Sequence, residues 1–372
     1  MIYLDYAADT PVHDEVLETF ISISQAYFAN PNGMHPLAKA AKCFLEETTK
    51  EIAKMLHVKP EEIIYTSGAT ESNNLAIKGI AEQYSRKGKH IITTYLEHSS
   101  VTGPISYLQE KGFEVDFINI LPNGQIDLEH LKELIRSDTI LVSIAYVDSE
   151  LGIRQDIDAI GTLLEGYPNC FFHVDATQAI GKIPVDVSKI DLVTFTAHKL
   201  YGVHGIGALI KKEHVFITPI IHGGLSTTPF RSGTPTIALI ASMKKALELA
   251  LNKQPEAYEY VKKLNTKLKE ALKQYKNVLI NSTDQAVPYI LNISLKGIKA
   301  ADFYKKLEDY EVYISTKSAC TSPNTPSRPV MALTKERKRA LSTLRISLSD
   351  LTTEEEITRF IQLFEKCYQE FN

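Results

Sequence analysis

Asp175 and Lys199 stand 24 residues apart, each closing a short apolar run. Cys170-Phe171-Phe172-His173-Val174 precedes the aspartate, and Leu192-Val193-Thr194-Phe195-Thr196 precedes Ala197-His198-Lys199. A carboxylate and an amine at the ends of neighbouring strands suit pyridoxal phosphate. The Lys199 amine would hold the cofactor as a Schiff base, and the Asp175 carboxylate would keep its ring nitrogen protonated.

Other polar residues group around the same chemistry. Tyr65-Thr66-Ser67-Gly68-Ala69-Thr70-Glu71 reads as a strand, a glycine turn and a helix start. Free N–H groups and the helix dipole make such a turn an anion site, so Ala69 and Thr70 are expected at the cofactor phosphate. On its own the segment reads as an ordinary strand–helix turn with Thr70 as a cap. Thr196 and His198 flank the lysine and would add donors. His98, past another strand end, could stack on the cofactor ring and shuttle protons. Gln178 follows Asp175 by three and could reach the phenolic oxygen. As single residues, both read as polar groups at helix starts.

Cys320 lies in Lys317-Ser318-Ala319-Cys320-Thr321-Ser322-Pro323, small and polar, which reads as an exposed mobile loop. A loop thiol can be a nucleophile where its thiolate is accessible, and is otherwise an inert surface cysteine. Cys43 and Cys170 read as small core residues, and Cys367 as structural. Arg345, inside Leu344-Arg345-Ile346-Ser347, needs a partner. A substrate carboxylate gripped in bidentate fashion would supply one, and so would a nearby acid. Arg231 raises the same question. The run Lys335-Glu336-Arg337-Lys338-Arg339 reads as a solvated helix face.

The elements that must position these groups alternate from about Glu62 to Ile210. Strands are expected at Ile63–Thr66, His90–Thr94, Phe113–Asn119, Ile140–Tyr146, Cys170–Asp175, Leu192–Thr196 and Gly207–Ile210, with helices between them. This is an α/β pattern with a largely parallel sheet covered on both faces, and ligands bind beyond the carboxyl ends of such strands. A helical pattern over Thr236–Tyr275 is expected to break near Asn252–Pro255, where a second domain begins. That α+β part would hold strands near Val278–Ile280, Tyr289–Ser294, Val312–Ser315 and Leu344–Ser347. Helices at Ala301–Tyr310 and Thr353–Phe371 would pack on them. The large domain is assigned to 16–252, and the small domain to 1–15 with 253–372.

A chain of 372 residues, 44% hydrophobic and 23% charged, has room for two such domains. A net charge of −4 argues against a broad nucleic-acid footprint. No apolar run approaches the roughly 20 residues that span a bilayer. The first residues carry no basic-then-apolar signal, and four cysteines in this length form no disulfide framework. A cytoplasmic protein is expected.

Together the segments resemble the cysteine desulfurases of the class V aminotransferase group, fold-type I pyridoxal phosphate enzymes. The likeness runs from Tyr3-Leu4-Asp5-Tyr6-Ala7-Ala8 through Asn30-Pro31, Ser67–Asn73, Glu97-His98, His173–Gln178 and His198-Lys199. It continues through Arg231-Ser232-Gly233-Thr234 and Ser318-Ala319-Cys320-Thr321-Ser322 to Leu344–Ser347. It implies a mostly parallel seven-stranded sheet and a smaller C-terminal domain carrying a long cysteine loop. It implies that Lys199 carries the cofactor, Asp175 meets the pyridinium, Gln178 meets the phenolic oxygen, and His98 is stacking residue and acid/base. Thr70, Thr196 and His198 would hold the phosphate, with Thr234 from the other subunit of a homodimer. Arg345 would bind the carboxylate of L-cysteine with Asn30 nearby. Cys320 would take the sulfur as a persulfide, releasing alanine, and pass it to a sulfur-acceptor protein for iron–sulfur clusters or tRNA thiolation.

Three positions depart from the family pattern. Ser149 stands where an Asn usually touches the cofactor, Asp9 replaces a Thr, and Lys317 replaces a Gly and would bring a cation near the thiol. The chain also ends soon after its last helix, without the tail some members use to dock a cluster scaffold. Two other readings therefore stand beside the desulfurase. One is a selenocysteine lyase or another class V lyase or aminotransferase. The other is a poorly active desulfurase-like protein that binds and regulates a partner.

Overall fold

The structure, a computed structural model, describes residues 1–317 and 325–371. Cys320 lies outside the described residues.

Seven strands form the main sheet, in the spatial order Ile63–Thr66, Gly207–Lys211, Leu192–Thr196, Phe171–Asp175, Thr139–Ala145, His90–Thr93 and Glu114–Phe117. Only Gly207–Lys211 runs antiparallel to its neighbours. The central strands are buried along their whole length, because helices cover both faces. The seven expected strands are all present, Ile63–Thr66 and Leu192–Thr196 with the expected bounds and the other five with ends displaced by one or two residues. His98, Asp175, Thr196 and Lys199 follow from carboxyl ends at one edge of this sheet.

A three-stranded antiparallel sheet holds Thr343–Ser347, Ile290–Leu295 and Val278–Ile280, in that order. Val312–Tyr313 does not join it but pairs in parallel with Ile2–Tyr3. A bridge between Asp5 and Ser347 then lays the N-terminal segment against the small sheet. The last helix, Glu354–Glu370, begins with a capping box. Thr353 Oγ1 accepts from Glu356 N–H at 3.1 Å, and Glu356 Oε2 accepts from Thr353 N–H at 2.8 Å.

The expected break near Asn252–Pro255 is absent. One helix runs from Ile237 to Leu272 with Pro255 inside it. Proline costs a helix interior about 3 kcal/mol. Here Leu247, Val261, Leu264 and Leu268 are buried on either side of it, and Gln254 Nε2 donates to Ile183 O at 2.9 Å. Packing against the helices Asp14–Ala26, Pro36–Met55 and Glu354–Glu370 overrides the local preference. Cys43 is also corrected: it is exposed, whereas Cys170 and Cys367 are buried. Among the described residues, no helix is long and apolar enough to cross a membrane.

Candidate active site

The glycine turn after Thr66 leads into the helix Ala69–Tyr84. Gly68 has φ +151°, a conformation side chains rarely adopt. Gly207 backs it so closely that a Cβ there would lie 2.7 Å from Gly68 Cα and 2.8 Å from Phe195 O. The turn can therefore approach this strand only where residue 207 lacks a Cβ, while Gly68 is required by its backbone conformation. The first-turn N–H groups of a helix have no partner within it, so Ala69 and Thr70 present donors at this turn. Glu71 fixes it from outside, accepting from Ser67 N–H at 2.7 Å and from Arg231 Nε at 2.8 Å. Burial raises the Glu71 carboxyl, but these donors hold it below the usual range. Arg231 thus takes the salt-bridge reading.

Asp175, 6% exposed, ends its strand. Its Oδ1 accepts from Thr177 N–H at 3.0 Å and its Oδ2 from Asn73 Nδ2 at 2.8 Å. His173 lies earlier on the same strand, between Ser143 Oγ at 2.8 Å and Thr194 Oγ1 at 3.1 Å. Burial pushes its pKa down to about 4, so it is neutral and leaves Asp175 uncompensated by charge from below. Lys199 follows on a single turn of 3₁₀ helix, Ala197–Lys199. Its ammonium donates to Ala7 O at 2.8 Å and to Ala8 O. Gln178 Nε2 shares Ala7 O at 2.8 Å, and Gln178 Oε1 accepts from Lys182 at 2.6 Å.

His98 caps the helix Ser99–Glu110. Burial lowers its pKa, Asp175 opposes this and Lys199 adds to it, so the ring is neutral near pH 7. His198 is pushed down to about 4 by burial and by its neighbour Lys199. Below His98, Glu97 is fully buried. Burial pushes its carboxyl up to about 8, against donors from Ala145 N–H and Thr94 Oγ1.

Arg345, 2% exposed, donates from Nη2 to Asp5 Oδ1 at 2.8 Å and from Nη1 to Ser149 O at 2.8 Å. Ser149 enters the site through this carbonyl. The thiol beside which Lys317 was expected to place a cation lies outside the described residues. The Lys317 ammonium turns in and donates to Thr325 O at 2.7 Å and Oγ1 at 2.8 Å. Its neighbour in charge is Glu150, whose Oε2 accepts from Ser327 Oγ at 2.5 Å. The basic run at 335–339 is only partly solvated, since Arg339 donates to Asn281 Oδ1 at 2.6 Å and Ile280 O at 2.9 Å.

One cavity of about 370 Å³ is lined by Ala69, Thr70, His98, Ser149, Asp175, Gln178, Thr196, His198, Lys199 and Arg345. Asn30 and Thr234 do not line it, and both are exposed. Asn30 instead accepts from Asn32 N–H at 3.0 Å. Sequence reasoning missed Asn73, Ser100, Glu97, Asp5 and Lys182. Asn73 had a legible signal: it shares a helix stripe with Ala76, Ile77 and Ile80, all buried, so its amide had to find buried partners.

Pyridoxal phosphate fits these residues. The glycine turn at Gly68 offers N–H donors to a phosphate, and Asp175 offers a carboxylate to a basic ring nitrogen. Arg345 Nε and Thr177 Oγ1 are buried without a protein partner among the described residues, on side chains that line the cavity. A polar ligand would satisfy them.

The profile of the class V aminotransferase family matches residues 2–360. The cysteine desulfurase IscS of Buchnera aphidicola (subsp. Acyrthosiphon pisum, strain 5A) is 41% identical over 98% of this chain and 92% of its own. The IscS of Neisseria meningitidis serogroup C (strain 053442) is 40% identical over 96% of this chain and 89% of its own. Among solved structures, a NifS-like protein superposes with a TM-score of 0.92 at 33% identity over 99% of both chains. SspA in complex with cysteine gives 0.83 at 32%, over 95% of this chain and all of the other. Across this span and at these identities, the chain belongs to the class V aminotransferases and, among them, to the pyridoxal phosphate-dependent cysteine desulfurases.

Proposed function

We propose that the protein converts L-cysteine to L-alanine and a persulfide on Cys320, for transfer to an acceptor protein. The observation that carries this is the convergence of Lys199, Asp175, His98 and Arg345 on one cavity in a chain of this family. Bound pyridoxal phosphate supplies an electron sink for the bonds at the substrate's α- and β-carbons.

The rest falls to side chains. Lys199 holds the cofactor and moves protons at the α-carbon. Asp175 keeps the ring nitrogen protonated. Thr70, Ala69, Thr196 and His198 hold the phosphate, and Thr234 of a second copy completes it in a homodimer. Ser149 offers the cofactor less than an Asn would, and Gln178 faces the phenolic oxygen. Arg345 fixes the substrate carboxylate. The Cys320 thiolate attacks the substrate sulfur, an S–S bond forms, and the C–S bond breaks with its electron pair left on carbon. Protonation of that carbon yields alanine. An acceptor in iron–sulfur assembly or tRNA thiolation then takes the outer sulfur in the cytoplasm.

Purified protein with pyridoxal phosphate, cysteine and a thiol reductant should release alanine and sulfide in equal amounts. Cys320→Ala should abolish sulfide while keeping the visible cofactor band. Full-rate sulfide release from that variant would overturn the role of the thiol, and preference for selenocysteine would favour a lyase.

A further inference from the structure

His98 is tied to Asp175 through two residues that line up as a directed relay. Ser100 N–H donates to His98 Nδ1 at 3.2 Å. A backbone N–H can only donate, so this nitrogen is the acceptor of the ring and carries no proton. Ser100 Oγ also stands 2.8 Å from Nδ1, and it must be the donor there. Its lone pair accepts from Asn73 Nδ2 at 2.8 Å, and the same amide nitrogen donates to Asp175 Oδ2 at 2.8 Å. The amide cannot be turned over, since Oδ1 would then face the Asp175 carboxylate. In the observed orientation Oδ1 is buried without a partner among the described residues. The carboxylate has selected the orientation at the expense of that oxygen.

We infer that Asn73 and Ser100 are positioning residues that hold neutral His98 as its Nε2–H tautomer, so the ring meets the cavity as a hydrogen-bond donor with no free basic nitrogen. Ser99 Oγ is 3.5 Å from Nε2, at the limit of a hydrogen bond, and leaves this N–H available. Proton acceptance from the substrate then belongs to Lys199, and the acid/base role expected of His98 becomes one of stacking and donation. The charged groups acting on His98 are Asp175 and Glu150, which favour its protonation, and Lys199 and Arg345, which oppose it. Glu97 is its buried neighbour in the chain.

The functional consequence rests on the proposed cofactor site, whereas the tautomer does not. The test is ¹⁵N NMR of the histidine-labelled full chain with and without pyridoxal phosphate, the His98 signal being assigned with His98→Asn. Across neutral pH, Nδ1 should give a pyridine-type shift and Nε2 a pyrrole-type shift. Ser100→Ala removes one donor to Nδ1 and should raise the His98 titration midpoint by about half to one pH unit, with Ser100→Thr restoring it. Asn73→Ala should move it the same way. A proton on Nδ1 in the parent protein, or a midpoint unmoved by Ser100→Ala, would overturn the inference. The tautomer result stands even if no sulfide forms, so the two readings fail separately.

Discussion

Asp5 Oδ1 and Arg345 Nη2 meet at 2.8 Å although 340 positions separate them in the chain. The pair is a consequence of the Asp5–Ser347 bridge, which carries the N-terminal segment to the strand holding Arg345. A guanidinium 2% exposed depends on its counter-charge. Asp5→Asn should therefore cost about 3 kcal/mol in urea unfolding, because it leaves the cation buried alone. Asp5→Asn combined with Arg345→Met should recover part of that loss. The single variant should also raise KM for cysteine, since it frees the clamp to turn from the cavity.

Gly207 tests the phosphate cradle. Gly207→Ala forces its Cβ against Gly68 Cα and Phe195 O. The turn must shift, and pyridoxal phosphate should bind at least about tenfold more weakly. Equilibrium dialysis followed by the visible cofactor band measures this directly.

Glu97 gives a pH signature. Its carboxyl titrates at about 8 in the folded chain, against an ordinary value of 4.5. Between these pH values the folded state holds a proton that the unfolded state has lost, so stability falls as pH rises through that window. Glu97→Gln removes the slope. Its stability relative to the parent protein should grow from pH 4.5 to 8, to the order of 5 kcal/mol, and then level off. Chemical denaturation at stepped pH reads it.

His173 has the opposite sign. Its folded value of about 4 lies below the ordinary 6.5, so the unfolded state binds the extra proton in between. Stability from the neutral ring is complete above pH 6.5 and is lost as pH falls toward 4. His173→Gln should flatten the acid limb of the same denaturation series.

Lys182 anchors Gln178 by its 2.6 Å bond. Burial, together with Lys199 and Arg345, pushes its amine down to about 7. Lys182→Met frees the amide to rotate and should weaken cofactor retention about tenfold, read as loss of the visible band during dialysis.

Much of this was legible in the sequence for specific physical reasons. Asp175 ends a mostly apolar strand and Lys199 follows another by a single turn, and that contrast marks a site at the carboxyl ends of the sheet. Strand ends were less legible. Thr139 and Lys211 are polar yet buried, so composition alone stops the strand too early. Cys43 was misread because Ala41, Phe44 and Leu45 surround it in sequence. On its helix the buried stripe is Ala38, Ala41, Leu45, Thr48 and Ile52, and residue 43 falls off that stripe. Asp5 had no local signal, since its partner is defined only by tertiary pairing. Lys317 was read by charge alone, and its burial against Thr325 could not be foreseen from its neighbours.

The unbroken helix Ile237–Leu272 has a mechanical consequence. Thirty-six residues make a rod of about 54 Å. Its first half packs on the helices Asp14–Ala26 and Pro36–Met55, and it also touches the last helix, Glu354–Glu370. A rod of this kind transmits torsion. One residue inserted beyond Pro255 would rotate everything after it by about 100° against everything before it, so the phase of this helix sets the alignment of the small sheet, and of Arg345 with it, over the cavity.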